Sequence, residues 1–307
     1  MTDIDPDLPA FELVSTFLGV PVCNNIATSQ ADVIIQGIPF DLATVGRAGT
    51  REGPRAIRLV SPNLSYEEAR WPWRFELKSH LQVEDAGDFY GRTAMPASMV
   101  EGIEKKTDAI LGAGKKVMSF GGDHYVALPL LRAIARAHGP VSLIHFDAHT
   151  DTYAGEDYNH GTMFYFARQE GLVDARHSVQ IGIRTDYDRN GHGFEVLDAD
   201  WVNNHGPAAT SARIKEIVGE RKAYVSFDID GLDPAFAPGT GTPVVGGLST
   251  NAALQILRSL IDIDVVGMDL VEVSPPHDCA DITALAAATL CLDMLYVWAD
   301  RKRRGVL

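Results

Sequence analysis

Aspartate and histidine recur in this sequence at spacings that suit cation binding, and each cluster directly follows an apolar run. His124 closes Gly121-Gly122-Asp123-His124; Asp147, His149 and Asp151 alternate along Asp147-Ala148-His149-Thr150-Asp151; Asp228 and Asp230 flank Ile229. Side chains two apart in an extended segment share a face, so the alternating sets are expected to converge. Two imidazoles and four carboxylates make a hard, anionic, mostly oxygen-donor set. That inventory suits two divalent cations such as manganese, and not a thiolate zinc or iron–sulfur site. The chemistry such a pair supports is hydrolysis.

Each cluster also has a plainer reading. An Asp-x-Asp is common, and paired glycines before Asp123 and His124 mark a tight turn. The set at 147–151 argues harder for an ion, because burying three ionisable groups without a partner is costly.

The elements that must position these residues follow from the apolar pattern. Runs at 32–38, 117–120, 141–146, 179–183, 223–227 and 265–270 read as strands. Helical patterns fall at 99–111, 127–137, 210–218, 251–260 and 282–299, with a further helix beginning at Pro54. This alternation implies an α/β fold, a parallel sheet covered on both faces, in a single domain over 1–307. Residues 1–30 are expected to be an extension packed on that domain or on a neighbouring subunit. Ligands of such sheets bind beyond the carboxyl ends of the strands. Asp123 and His124, Asp147, Asp228 and Glu272 each follow a different strand, so one rim collects them.

A formal net charge of -14 in 307 residues argues against a nucleic-acid partner. It is compatible with a cationic substrate, and also with ordinary solubility. No apolar stretch is read as long enough to span a membrane, and the first residues are acidic where a signal peptide is basic. Cys23, Cys279 and Cys291 are far apart and read as buried thiols of a cytoplasmic protein.

His80, His138, His192, His205 and His277 are expected at the surface, and His177 in a loop. His145 shares strand parity with Asp147 and is either a support for the ligands or a packed core residue. His160 lies in a loop expected to hang over the ions. Gly46-Arg47-Ala48-Gly49 reads as a mobile loop. Pro238-Gly239-Thr240-Gly241-Thr242-Pro243 lacks the ending of a phosphate-binding loop. Trp71-Pro72-Trp73 and 284–288 are assigned to packing or subunit contact.

Taken together, Ser119-Phe120-Gly121-Gly122-Asp123-His124, Phe146-Asp147-Ala148-His149-Thr150-Asp151 and Ser226-Phe227-Asp228-Ile229-Asp230-Gly231-Leu232-Asp233-Pro234 resemble the signature of the ureohydrolases, the family of arginase and agmatinase. The resemblance runs from Gly37-Ile38-Pro39-Phe40-Asp41 to the last helix. Asn159-His160-Gly161-Thr162-Met163-Phe164, Trp71-Pro72-Trp73 and the two Gly-rich segments look most like the agmatinase branch. It implies a three-layer α/β/α fold with a mostly parallel, roughly eight-stranded sheet, and a homo-oligomer, trimer or hexamer.

It further implies two manganese ions, in a site whose ligand type also suits cobalt or nickel. One would be held by His124, Asp147, Asp151 and Asp228, the other by His149, Asp147, Asp228 and Asp230, with Asp147 and Asp228 bridging. Asp151 would orient a hydroxide between the ions, Glu272 would bind the guanidinium, and His160 would move the proton. Tyr153, Glu156 and Asp157 are the expected substrate-tail residues. A phenol and two carboxylates host an amine better than a carboxylate, which makes agmatine the expected substrate and 4-guanidinobutyrate the alternative. Two other readings are a non-catalytic subunit that keeps the fold, and a one-zinc deacetylase of related fold. Gly231, where some relatives carry cysteine, is read as neutral.

Overall fold

The computed structural model describes residues 15–66, 69–89, 96–189 and 191–306. Their β-branched and aromatic runs form eight strands: β1 Val33–Gly37, β2 Val83–Asp88, β3 Lys116–Phe120, β4 Ser142–Phe146, β5 Val179–Ile183, β6 Glu195–Asp198, β7 Lys222–Asp228 and β8 Asp264–Val271. They make one sheet in the order β2-β1-β3-β8-β7-β4-β5-β6. Every pairing is parallel.

Seven helices join the strands: α1 Gly53–Val60, α2 Pro96–Gly112, α3 Ala127–His138, α4 Met163–Gln169, α5 Ala199–Val218, α6 Thr250–Arg258 and α7 Ile282–Arg303. Strand residues alternate between two cores. Val33, Met118, Ile144, Val225 and Met268 pack with α1, α5, α6 and α7. Ile34, Val117, Leu143, Tyr224 and Val266 pack with α2 and α3. Two-sided burial of the central strands explains their nearly continuous apolar runs. The expected three-layer α/β/α fold is the observed one.

The differences from expectation have physical reasons. Strands β2 and β6 lie at the two sheet edges and are only partly buried, so Val-Glu-Asp-Ala-Gly-Asp and Glu-Val-Leu-Asp carry no apolar run. Helix α5 begins eleven residues earlier than its apolar pattern because a kink at Gly206, with Pro207 inside, interrupts the periodicity. Helix α4 is too short to show a period. Helix α7 corrects the membrane reading: it is long and apolar enough to span a bilayer, yet most of it is buried inside the fold. Cys279 is exposed, whereas Cys23 and Cys291 are buried. His192 is also buried, between the rings of Tyr187 and Phe194.

Of the N-terminal extension, 1–14 lie outside the described residues. Beyond them, Phe17 packs edge-on against Phe120, and its N–H donates to Asp85. Trp73 stacks on Tyr296, while Trp71 is exposed under the Arg258 guanidinium.

Candidate metal centre

The four strands that carry the candidate residues are neighbours at the centre of the sheet: β3, β8, β7 and β4. Their carboxyl ends turn into the site, but not as extended segments. Asp228 caps a 3-10 turn, its Oδ1 accepting from the Asp230 N–H at 2.8 Å. Asp151 takes a left-handed φ of 52°. The ligand candidates therefore meet through tight turns rather than through strand alternation. After β3, a Cβ on Gly122 would stand 1.8 Å from the Phe40 carbonyl oxygen, so glycine is what lets that turn close.

His124 Nδ1 faces Asp151 Oδ2 at 3.0 Å and Asp147 Oδ2 and Asp228 Oδ2 at 3.2 Å each. It is buried and hydrogen-bonds to none of them. The other ring nitrogen explains why. Ser226 Oγ donates to Asp269 Oδ1 at 2.7 Å and so accepts from His124 Nε2–H at 2.8 Å. With the ring neutral, as a metal ligand must be, Nδ1 aims a lone pair at three carboxylate oxygens. Without an ion, burial opposes charge, but those carboxylates raise the His124 pKa well above its usual value. Four electron-rich atoms around one point repel each other until a cation sits there, so this donor set fits a hard divalent ion.

A second group lies alongside. His149 Nδ1 stands 3.1 Å from Asp230 Oδ2 and 3.3 Å from Asp147 Oδ1. Asp147 thus offers one oxygen to each group, as a bridging ligand would. Asp228 Oδ2 faces His124, and its Oδ1 accepts from the Asp230 N–H, as Asp147 Oδ1 accepts from the His149 N–H.

His145 is also within reach of the first group. Both its nitrogens are engaged, however: Gln180 Nε2 donates to Nδ1 at 3.0 Å, and Nε2–H donates to Asp147 Oδ2 at 2.8 Å. It supports the bridging carboxylate instead of competing for an ion. Ser226, Asp269, Tyr224 and Gln180 were not foreseen from sequence. The available signal was a polar residue inside a buried strand, and Ser226 and Asp269 are register partners in β7 and β8.

The electrostatics follow from packing acids out of water. Burial, with Asp230 and Asp147 adding repulsion, raises Asp228 well above the usual carboxylate range. Burial and the Asp147 charge push Asp151 up to about 7 and also raise Asp230. Asp147 goes the other way, because His145, His124 and His149 outweigh its burial and hold it well below. Burial opposes a charge on His149, yet Asp147 and Asp230 push it up to about 12. Burial lowers His145 to about 4, so it stays neutral. The cage collects protons where cations are due.

Beyond β8, Glu272 adopts a φ of 62° and is buried. Its Oε1 accepts from the His124 N–H at 2.9 Å and lies 2.9 Å from His160 Nδ1. Its Oε2 is buried without a hydrogen-bond partner among the described residues. The Val45 N–H donates to His160 Nε2 at 2.9 Å, which places the proton on Nδ1. Burial opposes charge on His160, but Glu272 more than compensates and raises its pKa. Left-handed φ values on non-glycine residues cost about 1–3 kcal/mol each; among the described residues six carry them, and Asp151 and Glu272 are the two at the site.

The segment read as mobile is anchored. Asp41 accepts from Gly49 N–H, Asp123 accepts from Ala43 N–H, and Arg47 donates to the carbonyls of Thr240 and Gly241. An inner cavity of about 100 Å³ is lined by His149, Asp151, Tyr153, His160, Gly161, Asp228 and Thr242. Tyr153, His160 and Gly161 also line an outer cavity of about 430 Å³, whose wall carries Glu156 and Asp157 and, among the described residues, no lysine or arginine.

The model of the Arginase family matches residues 31–296. The chain belongs to the arginase family. Within the arginase family it is 56% identical to an agmatinase of Proteus mirabilis over 287 residues, 93% of this chain and 94% of that protein. A hypothetical agmatinase of Burkholderia thailandensis superposes with a TM-score of 0.91 at 47% identity, covering 95% of this chain and 92% of that one. The proclavaminate amidino hydrolase of Streptomyces clavuligerus gives 0.87 at 37% identity, covering 93% and 97%.

Proposed function

We propose that this chain is a binuclear manganese hydrolase that cleaves a guanidinium carbon–nitrogen bond, converting agmatine and water to putrescine and urea. The observation that carries this reading is Glu272 Oε2, a buried carboxylate oxygen with no partner beside a cage built for cations. A buried acceptor left unpaired is costly, so it argues for a ligand that donates to it. A planar guanidinium supplies such donors in a fixed fork.

In this reading His124, Asp147, Asp151 and Asp228 would hold one ion, and His149, Asp147, Asp228 and Asp230 would hold the other. Bound there, the ions lower the pKa of water enough to supply a nucleophile at neutral pH. Asp151, with Oδ2 turned toward His124, keeps Oδ1 to orient the attacking water. Glu272 aligns the guanidinium carbon with that water. The proton that the attacking water gives up passes to His160 as an imidazolium, which Glu272 favours by raising the His160 pKa and which needs the Val45 N–H to Nε2 bond to open. From there it passes to the nitrogen that leaves as the carbon–nitrogen bond breaks.

The tail of the substrate then extends past Tyr153 and Gly161 into the outer cavity. Glu156 and Asp157 there favour an amine, and a carboxylate would meet like charge with no cation between. Agmatine fits, and the agmatinase relatives support it. The likeness to an amidino hydrolase acting on proclavaminate keeps 4-guanidinobutyrate as the second substrate to test.

The reading extends to a one-domain, cytoplasmic homo-oligomer, trimer or hexamer. Three free thiols suit a reducing compartment. Urea release from agmatine, arginine and 4-guanidinobutyrate, assayed side by side, tests the activity. Two manganese ions per chain support it against a non-catalytic scaffold, which would bind none.

A further inference from the structure

Arg184 follows β5 and touches neither cavity, yet it meets both turns that carry the ligands. Its main-chain N–H donates to the Ala148 carbonyl at 2.9 Å, between Asp147 and His149. Its guanidinium donates to the carbonyls of Asp230 at 2.7 Å, Leu232 at 3.2 Å and Gly231 at 3.4 Å. Further bonds go to Gly182, and to Val244 in the segment just beyond Thr242. All six side-chain bonds end on main-chain oxygen.

The packing around this fork leaves no slack. A Cβ on Gly247 would lie 2.7 Å from Arg184 Nη2, and one on Gly231 would lie 2.9 Å from the Asp147 nitrogen. Gly231 is therefore not neutral: it lets the 228–232 turn press against the 147–149 turn. The same contact is sealed by the Ala148 N–H, which donates to Asp230 Oδ1 at 3.0 Å.

We propose that Arg184 is a positioning residue that clamps the two ligand turns together and so sets the affinity of the ion held by His149, Asp147 and Asp230. This rests on the two-ion reading above. Two effects of the guanidinium oppose each other. Its positive charge near Asp230 and Asp147 disfavours a nearby dication, whereas its fork holds the ligands in register. Groups that orient metal ligands change affinity by roughly 10–100-fold when lost, and the six bonds make positioning the larger effect here. Lysine keeps the charge but not the planar fork.

The test is a manganese titration of full-length, chelator-stripped R184M and R184K, read by the paramagnetic resonance of free manganese and of the coupled pair. Both variants are expected to bind the second equivalent at least about tenfold more weakly, the first within about threefold, and to lose the coupled-pair signal at concentrations that saturate the parent. Tighter or unchanged binding of the second ion, equal weakening of both, or parental affinity in R184K overturns the proposal. If R184M does not fold, by circular dichroism, R184K alone decides. A parent chain that binds fewer than two ions would instead sink the two-ion reading.

Discussion

Glu272 and Asp228 are both buried acids, but their neighbours give them different work. Glu272 keeps one oxygen unpaired among the described residues, and its other oxygen meets the His124 main-chain N–H rather than the imidazole. Glu272→Gln is therefore expected to retain both manganese ions while kcat/KM for agmatine falls about 30–100-fold, the loss of about 2–3 kcal/mol when a charged hydrogen bond becomes neutral. Metal content and steady-state kinetics on one preparation check this, and full activity would remove the clamp. Asp228→Asn should behave oppositely, lowering manganese content and turnover together by about 100-fold. The pH dependence has a definite sign. Without ions, His149 is pushed up to about 12 and Asp151 to about 7, so at pH 7 the cage holds protons that ligation must expel. Manganese affinity is thus expected to rise with pH, and calorimetry in buffers of different ionisation heat should record net proton release. The six ligand candidates were legible in sequence because Asp and His closing apolar strands have few structural uses. Arg184 was not, because it acts through main-chain carbonyls, which no residue type announces.

Elements were legible in proportion to their burial. Strands β4 and β7 lie inside the sheet, and their apolar runs end on Asp147 and Asp228. The rings of Phe146 and Phe227 stack beneath those ends at 4.7 Å. Phe227→Ala should destabilise the fold by about 3–5 kcal/mol through the cavity it leaves, measured by denaturant melts. It should also weaken manganese binding, because Asp228 is the next residue. A melt within 1 kcal/mol of the parent, allowing roughly for error, would mean that the stack does not seat the ligand turns. Edge strands β2 and β6 escaped notice because they bury one face at most, and α5 because Gly206 and Pro207 break its period. The convergence of the ligands was foreseen, but through strand alternation. Left-handed Asp151 and the 3-10 turn at Asp230 achieve it instead, and neither geometry has a signature in residue type alone.

For the molecule as a whole, alternating strands and helices disclosed a parallel sheet but not its order. The insertion of β8 and β7 between β3 and β4 is what makes the four site strands adjacent. The result is a large acidic centre on a chain of net charge -14, whose repulsion cations relieve. Chelation should therefore lower the melting temperature by roughly 10 °C, since occupancy at a thousand times Kd contributes about 4 kcal/mol, and added manganese should restore it. The proposed activity reduces to one reaction, hydrolysis at a caged pair of ions of a guanidine whose tail bears an amine. Its most direct measurement is urea released by manganese-loaded protein offered agmatine, arginine and 4-guanidinobutyrate at equal concentration. Agmatine turning over fastest, with putrescine in equal amount to urea, is the predicted result. No urea from any of the three, or faster turnover of either carboxylate-bearing substrate, would contradict it.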